Sequence, residues 1–111
     1  VCVTVIFSAS QAILAANAGA TYVAPFVGRI DDIGWDGLEL AQEIRDIFDA
    51  QGIETMIIAA SVRHLNHVNA LAKMGIDVAT MPYKVIMQMA QSPLTANAVK
   101  KFMEDWEKVP K

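Results

Sequence analysis

The strongest constraint on the fold is a unit that recurs three times along the chain. In each copy a helical pattern ends, a glycine follows (Gly19, Gly52 or Gly75), and a short apolar strand comes next. Glycine lacks a Cβ and readily takes the left-handed conformation that closes a helix. A further apolar, β-branched run opens the chain at residues 1–7. Strands that alternate with helices predict an α/β fold with a parallel sheet and right-handed connections.

The predicted elements follow from these signals and from the apolar periodicity. Strands are expected at residues 1–7, 21–24, 55–59 and 77–80, and helices at 10–17, 36–50, 64–73, 83–90 and about 95–108. Thr95 is the expected N-cap of the last helix. The polar connection 28–37 is the one loop large enough to be a functional element. The apolar residues expected to face inward are Leu40, Ile44, Ile47, Phe48, Leu65, Val68, Leu71, Ala72, Val85, Ile86 and Met89.

Size and composition restrict the class of protein. The 111 residues fit one domain, about half of a usual (β/α)₈ barrel of roughly 250 residues. With 54% hydrophobic residues, the chain must bury a large core or a partner. The net charge of −3 argues against nucleic acid, and no apolar run is long enough to span a membrane. The single cysteine, Cys2, excludes an intrachain disulfide and is expected of a reducing, cytoplasmic protein.

The opening strand is unusual for its position. Residues 1–7 are interrupted only by Thr4, a pattern typical of a strand buried on both faces, yet no strand precedes it and no signal peptide is recognisable. We therefore expect the chain to be a truncated piece of a larger domain, and Cys2 to be a buried, inert thiol.

Candidate ligand-binding residues lie just beyond the carboxyl ends of the predicted strands, where parallel α/β proteins bind ligands. They are Thr4, Ser8, Ser10, Phe26, Arg29, Ser61, Arg63 and Thr80. Arg29 and Ser61 form the best pair, because a guanidinium fork and a hydroxyl beside a helix N-terminus suit a phosphate. The alternative is an ordinary N-cap serine and a surface arginine paired with Asp31 or Asp32.

Other polar groups have weaker functional interpretations. Asp31 and Asp32 are adjacent in a loop, so a solvated pair is favoured over an acid/base pair. His64 and His67 have a possible metal-ligand spacing without a third ligand nearby, and we predict no metal site. His64 is expected to be a loop or anion contact.

Lysines and methionines also have simple interpretations. No lysine lies in a predicted strand, where a Schiff-base lysine would be expected; the six are Lys73, Lys84, Lys100, Lys101, Lys108 and Lys111. The six methionines are expected to fill the core. The apolar stripe of the last helix, which includes Phe102 and Trp106, either joins the core or covers a neighbouring chain.

Several runs together resemble the transaldolase/fructose-6-phosphate aldolase family, in particular its small subfamily. The runs are residues 4–8 (TVIFS), 11–12 (QA), 18–32 (AGATYVAPFVGRIDD), 59–61 (AAS) with 63–64 (RH), 79–82 (ATMP), 93–95 (PLT) and 102–106 (FMEDW). The resemblance covers essentially the whole chain. It implies a parallel (βα)₄ half of a TIM (β/α)₈ barrel, strands five to eight, followed by a C-terminal helix.

The resemblance also implies roles for individual residues. Family members form a Schiff base between a strand-four lysine and a keto-sugar phosphate, without a cofactor or metal. Thr4 would point towards the covalent intermediate, Ala24 would line the pocket, and Arg29 with Ser61 would bind the phosphate. Phe26 stands where phenylalanine goes with transaldolase activity and tyrosine with aldolase activity. This implies transfer of a dihydroxyacetone unit between sugar phosphates, as in the pentose phosphate pathway.

The family's Schiff-base lysine, its strand-one aspartate and its strand-three acid all precede Val1 in the family pattern. We therefore expect the isolated chain to be inactive. The alternatives are a fructose-6-phosphate aldolase-type lyase, or a non-catalytic fragment that binds phosphate or serves assembly. A half-barrel exposes two sheet edges and an apolar concave face. We expect two copies to associate, with a two-fold contact completing an eight-stranded barrel.

Overall fold

The computed structural model describes residues 1–109 and contains one parallel sheet with the strand order β1-β2-β3-β4. The strands are β1 (Cys2–Ile6), β2 (Tyr22–Pro25), β3 (Met56–Ala59) and β4 (Val78–Ala79). The helices are α1 (Ala9–Asn17), α2 (Val27–Asp32), α3 (Gly37–Gln51), α4 (Leu65–Lys73), α5 (Tyr83–Ala90) and α6 (Pro93–Glu107). The predicted alternation of strands and helices is confirmed. Helix α2 is the exception, because it occupies the first part of the predicted loop 28–37.

The glycine signals operate as predicted. Gly19, Gly52 and Gly75 have φ angles of 96°, 65° and 78°, and each follows the last turn of a helix. Two of the turns that follow are joined at the amino-terminal edge of the sheet, where the buried Thr55 hydroxyl donates to the Ala20 carbonyl at 2.9 Å. This bond aligns the residues just before β2 and β3, so the two strands begin side by side.

The core lies between the sheet and its helices. One group of buried residues includes Val23, Ile57, Ile44 and Phe48, so it joins β2 and β3 to α3. A second group packs near the carboxyl ends of the strands; its buried members are Val27, Ala41, Ala59, Val62, Val68, Leu71 and Val85. Alternate strand residues point to opposite faces of a sheet. The face opposite the helices consequently carries residues that are only partly buried, including Tyr22, Met56 and Ile58.

The β1 strand corrects the expectation of burial on both faces. Only Ile6 is fully buried, while Cys2, Thr4 and Val5 are exposed. The physical reason is that β1 is an edge strand with one neighbour and helices on one side only. Val5 has a φ of 58° at a bulge between Thr4 and Ile6, a conformation rarely adopted by a β-branched residue. The prediction of a buried Cys2 thiol is wrong for the same reason.

Several apolar residues expected to face inward are exposed. These are Leu65, Ala72, Ile86 and Met89. None of the six methionines is fully buried: Met74 and Met81 pack against the core from its margin, and Met56 lies on the uncovered sheet face. The core-facing stripe of α3, by contrast, is confirmed, with Leu40, Ile44 and Phe48 buried and Ile47 packed beside them.

Helix α6 begins earlier than predicted and has no buried residue. Ser92, not Thr95, is its N-cap: the Ser92 hydroxyl accepts from the Thr95 amide at 3.3 Å, and Pro93 occupies the first turn. Phe102 and Trp106 are exposed by 69% and 61%, so the interpretation of their stripe as core is wrong. The interpretation that the stripe covers a neighbouring chain stays a prediction.

A partly buried ion network supports the sheet from the amino-terminal side. Arg45 of α3 contacts Asp49 at 2.8 Å and Asp77, just before β4, at 3.1 Å. The same Asp77 oxygen accepts the Ile57 amide of β3 at 2.9 Å. The network therefore connects α3, β3 and the start of β4. In residues 1–109, no helix has the length and apolar character needed to cross a membrane.

Candidate anion-binding site

Helix α2 is placed directly against the end of β3. After β2 ends at Pro25, Phe26 pairs with Ala60 in an isolated parallel bridge. The Val27 amide then donates to the Ala60 carbonyl, and the Gly28 amide donates to the Ser61 carbonyl, both at 2.9 Å. As a result, the turn of helix that carries Arg29 lies beside Ser61 at the carboxyl edge of the sheet.

Gly28 is required for this close approach. A Cβ atom at Gly28 would collide with the Ser61 carbonyl oxygen and with the Arg63 side chain. Because backbone is one of the two obstacles, a side chain at this position would push α2 away from β3. The absence of a side chain at Gly28 therefore sets how near Arg29 comes to Ser61.

Arg29 is an exposed cation at this edge. Its guanidinium carbon lies 5.1 Å from the centroid of the Phe26 ring, within the range of a cation–π contact. Within residues 1–109 Arg29 has no carboxylate within ion-pair distance. The alternative that Arg29 pairs with Asp31 or Asp32 is therefore wrong, and its fork is free to meet a ligand.

Arg63, not Arg29, forms the ion pair with Asp32. Its Nη2 donates to Asp32 Oδ2 at 2.7 Å, and its Nη1 donates to Asp32 Oδ1. This hydrogen bonding from Arg63 lowers the pKa of the Asp32 carboxyl below its usual value, burial opposes the shift, and the charges of Arg63 and Arg29 add to the lowering. The bond to Asp32 in turn raises the pKa of Arg63. Arg63 thus has a local counterion, which Arg29 does not.

Asp31 has separate partners from its neighbour. Its Oδ1 accepts the Gly37 amide, the first residue of α3, at 2.8 Å, and its Oδ2 lies 2.8 Å from His67 Nε2. Asp31 and Asp32 are both exposed, as expected of a solvated pair, but each carboxylate also has its own protein partner. The two carboxylates do not converge on one point as an acid/base pair would require.

The two histidines serve the protein's own hydrogen bonding. His64 is the N-cap of α4, and its Nδ1 accepts the His67 amide at 3.3 Å. The ring centroids of His64 and His67 are 3.8 Å apart. Both ring nitrogens of His67 have partners, because Nδ1 accepts the Arg63 amide at 3.2 Å. No group of three potential metal ligands occurs within residues 1–109.

Ser61 is not an N-cap, since α4 begins four residues later. Its φ of 56° is left-handed, an uncommon conformation for a residue with a side chain. The half-buried Ser61 lines a cavity of about 320 Å³ at the carboxyl ends of β3 and β4. The other lining residues are Val62, Arg63, Thr80, Met81 and Pro82. Within the described part of the chain the Ser61 hydroxyl has no hydrogen-bond partner, so it can serve a ligand.

The remaining candidates lie on neighbouring strands. Thr4 and Ala24 are direct partners across β1 and β2; Thr4 is exposed and Ala24 is buried. Phe26, half-buried, follows at the end of β2 and stacks against Arg29. The structure thus places Thr4 beside Ala24, and Phe26 and Arg29 beside the Ser61 segment. The roles of these residues in binding stay predictions.

The contacts that Arg63 and His67 make with the two aspartates were not predicted from the sequence. Both residues follow Ser61, four positions apart, and each meets one of the two adjacent aspartates that end α2. The signal in the sequence was the matching of an acidic pair to a basic pair. This match identifies the pairing only when β2 and β3 are known to be neighbouring strands.

Comparison with known proteins defines the family. The family model for Transaldolase/Fructose-6-phosphate aldolase matches residues 1–111. A "Probable transaldolase" of Geotalea uraniireducens is 62% identical over 109 residues, which are 98% of this chain and 51% of that protein. A "Probable transaldolase" of Heliobacterium modesticaldum is 58% identical over 107 residues, covering 96% of this chain and 50% of the relative.

The chain therefore belongs to the transaldolase/fructose-6-phosphate aldolase family. It spans about half the length of the curated relatives it matches. Its four parallel strands and their helices are the α/β arrangement of half a TIM barrel, as the sequence predicted.

The Arg63–Asp32 pair yields a pH-dependent prediction. Replacing Arg63 by methionine should raise the Asp32 pKa towards its ordinary value of roughly 3.9, because the hydrogen bonds from Arg63 are the main cause of the lowering. The folded-state pKa is depressed, so the stabilisation is present above the ordinary pKa and is lost as the pH falls through the lowered one. Carboxyl carbon NMR through an acid titration measures this pKa.

The matched control is Arg29→Met, since Arg29 affects Asp32 through its charge only and least of the causes. We expect this variant to raise the Asp32 pKa less than Arg63→Met does. An Asp32 pKa that is the same with and without Arg63 would contradict the assignment.

Proposed function

We propose that this chain is the phosphate-holding half of a transaldolase, an enzyme that transfers a dihydroxyacetone unit between sugar phosphates through a Schiff base. The observation that supports this most is the exposed Arg29 beside Ser61 at the carboxyl edge of the sheet. Arg29 has no carboxylate partner among residues 1–109, whereas Arg63 is paired with Asp32. The names of the relatives, "Probable transaldolase", agree with this class of reaction.

The phosphate contacts follow from the chemistry of the two side chains. A guanidinium presents a planar fork that matches two phosphate oxygens, and a hydroxyl donates to a third. Hydrogen bonds to charged groups contribute about 1.5–3 kcal/mol each. Stacking on Phe26 holds the Arg29 guanidinium in place before the ligand arrives. Thr4 and Ala24, side by side on β1 and β2, would then meet the sugar portion of the substrate.

The covalent step needs an amine that residues 1–109 do not offer at the site. In residues 1–109 the lysines lie on helices or at a helix end: Lys73, Lys84, Lys100, Lys101 and Lys108. Lys111 lies outside the described residues. A Schiff-base lysine must be unprotonated at working pH, and this requires a buried or cation-rich environment. In our proposal a lysine outside this sequence supplies the amine, and the chain alone is inactive.

Phe26 favours transfer over simple aldol cleavage. The family includes both transaldolases and fructose-6-phosphate aldolases, and the aldolase reaction is the second candidate function. A phenylalanine has no hydroxyl with which to activate a water molecule or to protonate the intermediate, whereas a tyrosine has one. Retention of the intermediate until an acceptor sugar arrives therefore fits Phe26 better. Phosphate binding or assembly without chemistry is the third candidate.

The uncovered sheet face suggests what lies against this chain. β1 and β4 each have one free edge, and Val78 on β4 is exposed by 41%. In the proposed enzyme another half-barrel covers this face and pairs with both edges. Two copies of the present chain can supply the same cover, since a two-fold rotation brings β1 of each copy to β4 of the other.

Arg29→Ala should weaken binding of inorganic phosphate by at least about tenfold, because it removes a two-pronged charged contact. Binding is measured by following backbone amide NMR signals during phosphate titration. The control is Lys101→Ala, an exposed cation on α6, which should leave the affinity unchanged. Equal affinities in the original chain and the Arg29 variant would refute the phosphate site.

Borohydride reduction in the presence of fructose 6-phosphate tests the covalent step. The isolated chain should gain no sugar mass, because none of its lysines in residues 1–109 lies on a strand. A full-length relative, treated in parallel, should gain one sugar unit and thereby validates the assay. A stoichiometric adduct on this chain, located by peptide mass spectrometry, would contradict the proposed source of the amine.

Association of the isolated chain is expected at micromolar concentration. Size-exclusion chromatography with light scattering should give twice the monomer mass of 12.1 kDa. Val78→Lys should shift the chain towards monomer, because it places a charge on the uncovered face beside the β4 edge. The control Lys101→Ala should not. A stable monomer in the unaltered chain would count decisively against the half-barrel dimer.

A further inference from the structure

Helix α2 depends on neighbouring elements for its position. It has only six residues, Val27–Asp32, and no side chain caps its amino terminus. Helices this short are not stable by themselves, because few hydrogen bonds offset the cost of nucleation. Its first residues are held by the backbone bonds to Ala60 and Ser61. Its last turn is held by the side chains of Asp31 and Asp32, so these two residues determine how the rest of the helix is aimed.

His67 is the buried partner in this second attachment. Only 2% of the residue is exposed, and both ring nitrogens are engaged. The Arg63 amide can only donate, so Nδ1 must accept, and Nε2 carries the proton that it donates to Asp31. A single neutral ring therefore joins the end of α2 to the segment that follows Ser61.

From this geometry we propose that His67 is a positioning residue for the anion site, an inference that rests on the proposed function. Through Asp31, His67 fixes the end of the helix that carries Arg29. Through the Arg63 amide, it fixes the connection that carries Ser61. The backbone bonds at residues 27–28 set how close the two segments come, and the imidazole adds a second attachment that holds the end of α2 in its orientation.

The other attachment of this helix end is weaker. The side chains of Arg63 and Asp32 are 45% and 55% exposed, and exposed ion pairs contribute little because water screens them. The Asp31–His67 bond has one fully buried partner. The second Asp31 oxygen holds Gly37 at the start of α3, so the carboxylate is fixed from two sides. The Asp31–His67 bond therefore limits the movement of α2 more than the ion pair does.

The test compares the affinity of the chain for inorganic phosphate with its free energy of unfolding. His67→Ala removes both ring contacts and should weaken phosphate binding by about tenfold, the usual cost of one buried hydrogen bond expressed as affinity. His67→Gln can still donate its amide hydrogen to Asp31 and should restore most of the affinity. Asp31→Asn leaves the buried ring in place but has one acceptor oxygen where the carboxylate has two, so it loses either the His67 or the Gly37 contact and should weaken binding even if His67→Ala fails to fold.

The matched control is Thr55→Val. Thr55 is also buried and hydrogen-bonded, but it joins the opposite edge of the sheet through Ala20. This variant should lose stability, measured by urea unfolding, and keep its phosphate affinity. A purely structural His67 would behave in the same way, and that result would overturn the proposal.

The outcomes separate the two proposals. If Arg29→Ala loses phosphate binding while His67→Ala and Asp31→Asn keep it, His67 is not a positioning residue and the phosphate site stands. If Arg29→Ala keeps phosphate binding, the proposed function fails and the positioning role fails with it. Loss in all three variants, with recovery in His67→Gln and no change in Thr55→Val, supports both.

Discussion

The close approach of α2 to the end of β3 is the contact on which the site depends. Two backbone hydrogen bonds and one bridge join residues 26–28 to residues 60–61. They form because Gly28 has no side chain to hold the segments apart. Backbone bonds of this kind have fixed lengths, so they set the separation of the two segments within narrow limits. Ser61 takes part in these contacts and Arg29 is the residue that follows them, so the separation of the two segments also fixes how far apart Arg29 and Ser61 lie.

The charges around this contact are distributed unequally, and the inequality is what makes the edge suitable for an anion. Asp32 neutralises Arg63, and Asp31 is shared between His67 and the start of α3. Arg29 precedes these carboxylates by two and three residues, forms no ion pair with either within residues 1–109, and has an aromatic ring as its neighbour. An aromatic face attracts a guanidinium without cancelling its charge. Arg29 can therefore be oriented and still attract phosphate.

The sequence predicted the features that local chemistry determines. Glycines after helices and apolar periodicity are local signals, and the strands and most helices follow them within a few residues. Helix α2, the Arg63–Asp32 pair and the exposure of β1 depend on which elements become neighbours. Leu65 illustrates the limit: its periodicity predicts burial, but the residue is 36% exposed, because burial depends on which elements pack against α4.

The difference between local and long-range contacts also explains how phosphate binding and covalent chemistry can be assigned to different halves of a barrel. The proposed phosphate contacts come from the segments that follow β2 and β3, two neighbouring strands whose ends are joined by the chain's own backbone bonds. They need no distant segment to be placed correctly. The Schiff-base amine of the proposed enzyme would instead project from another strand over the sheet face on which Thr4 and Tyr22 lie. In the proposed enzyme, phosphate recognition is consequently a property of adjacent strands, whereas the reaction requires a closed barrel.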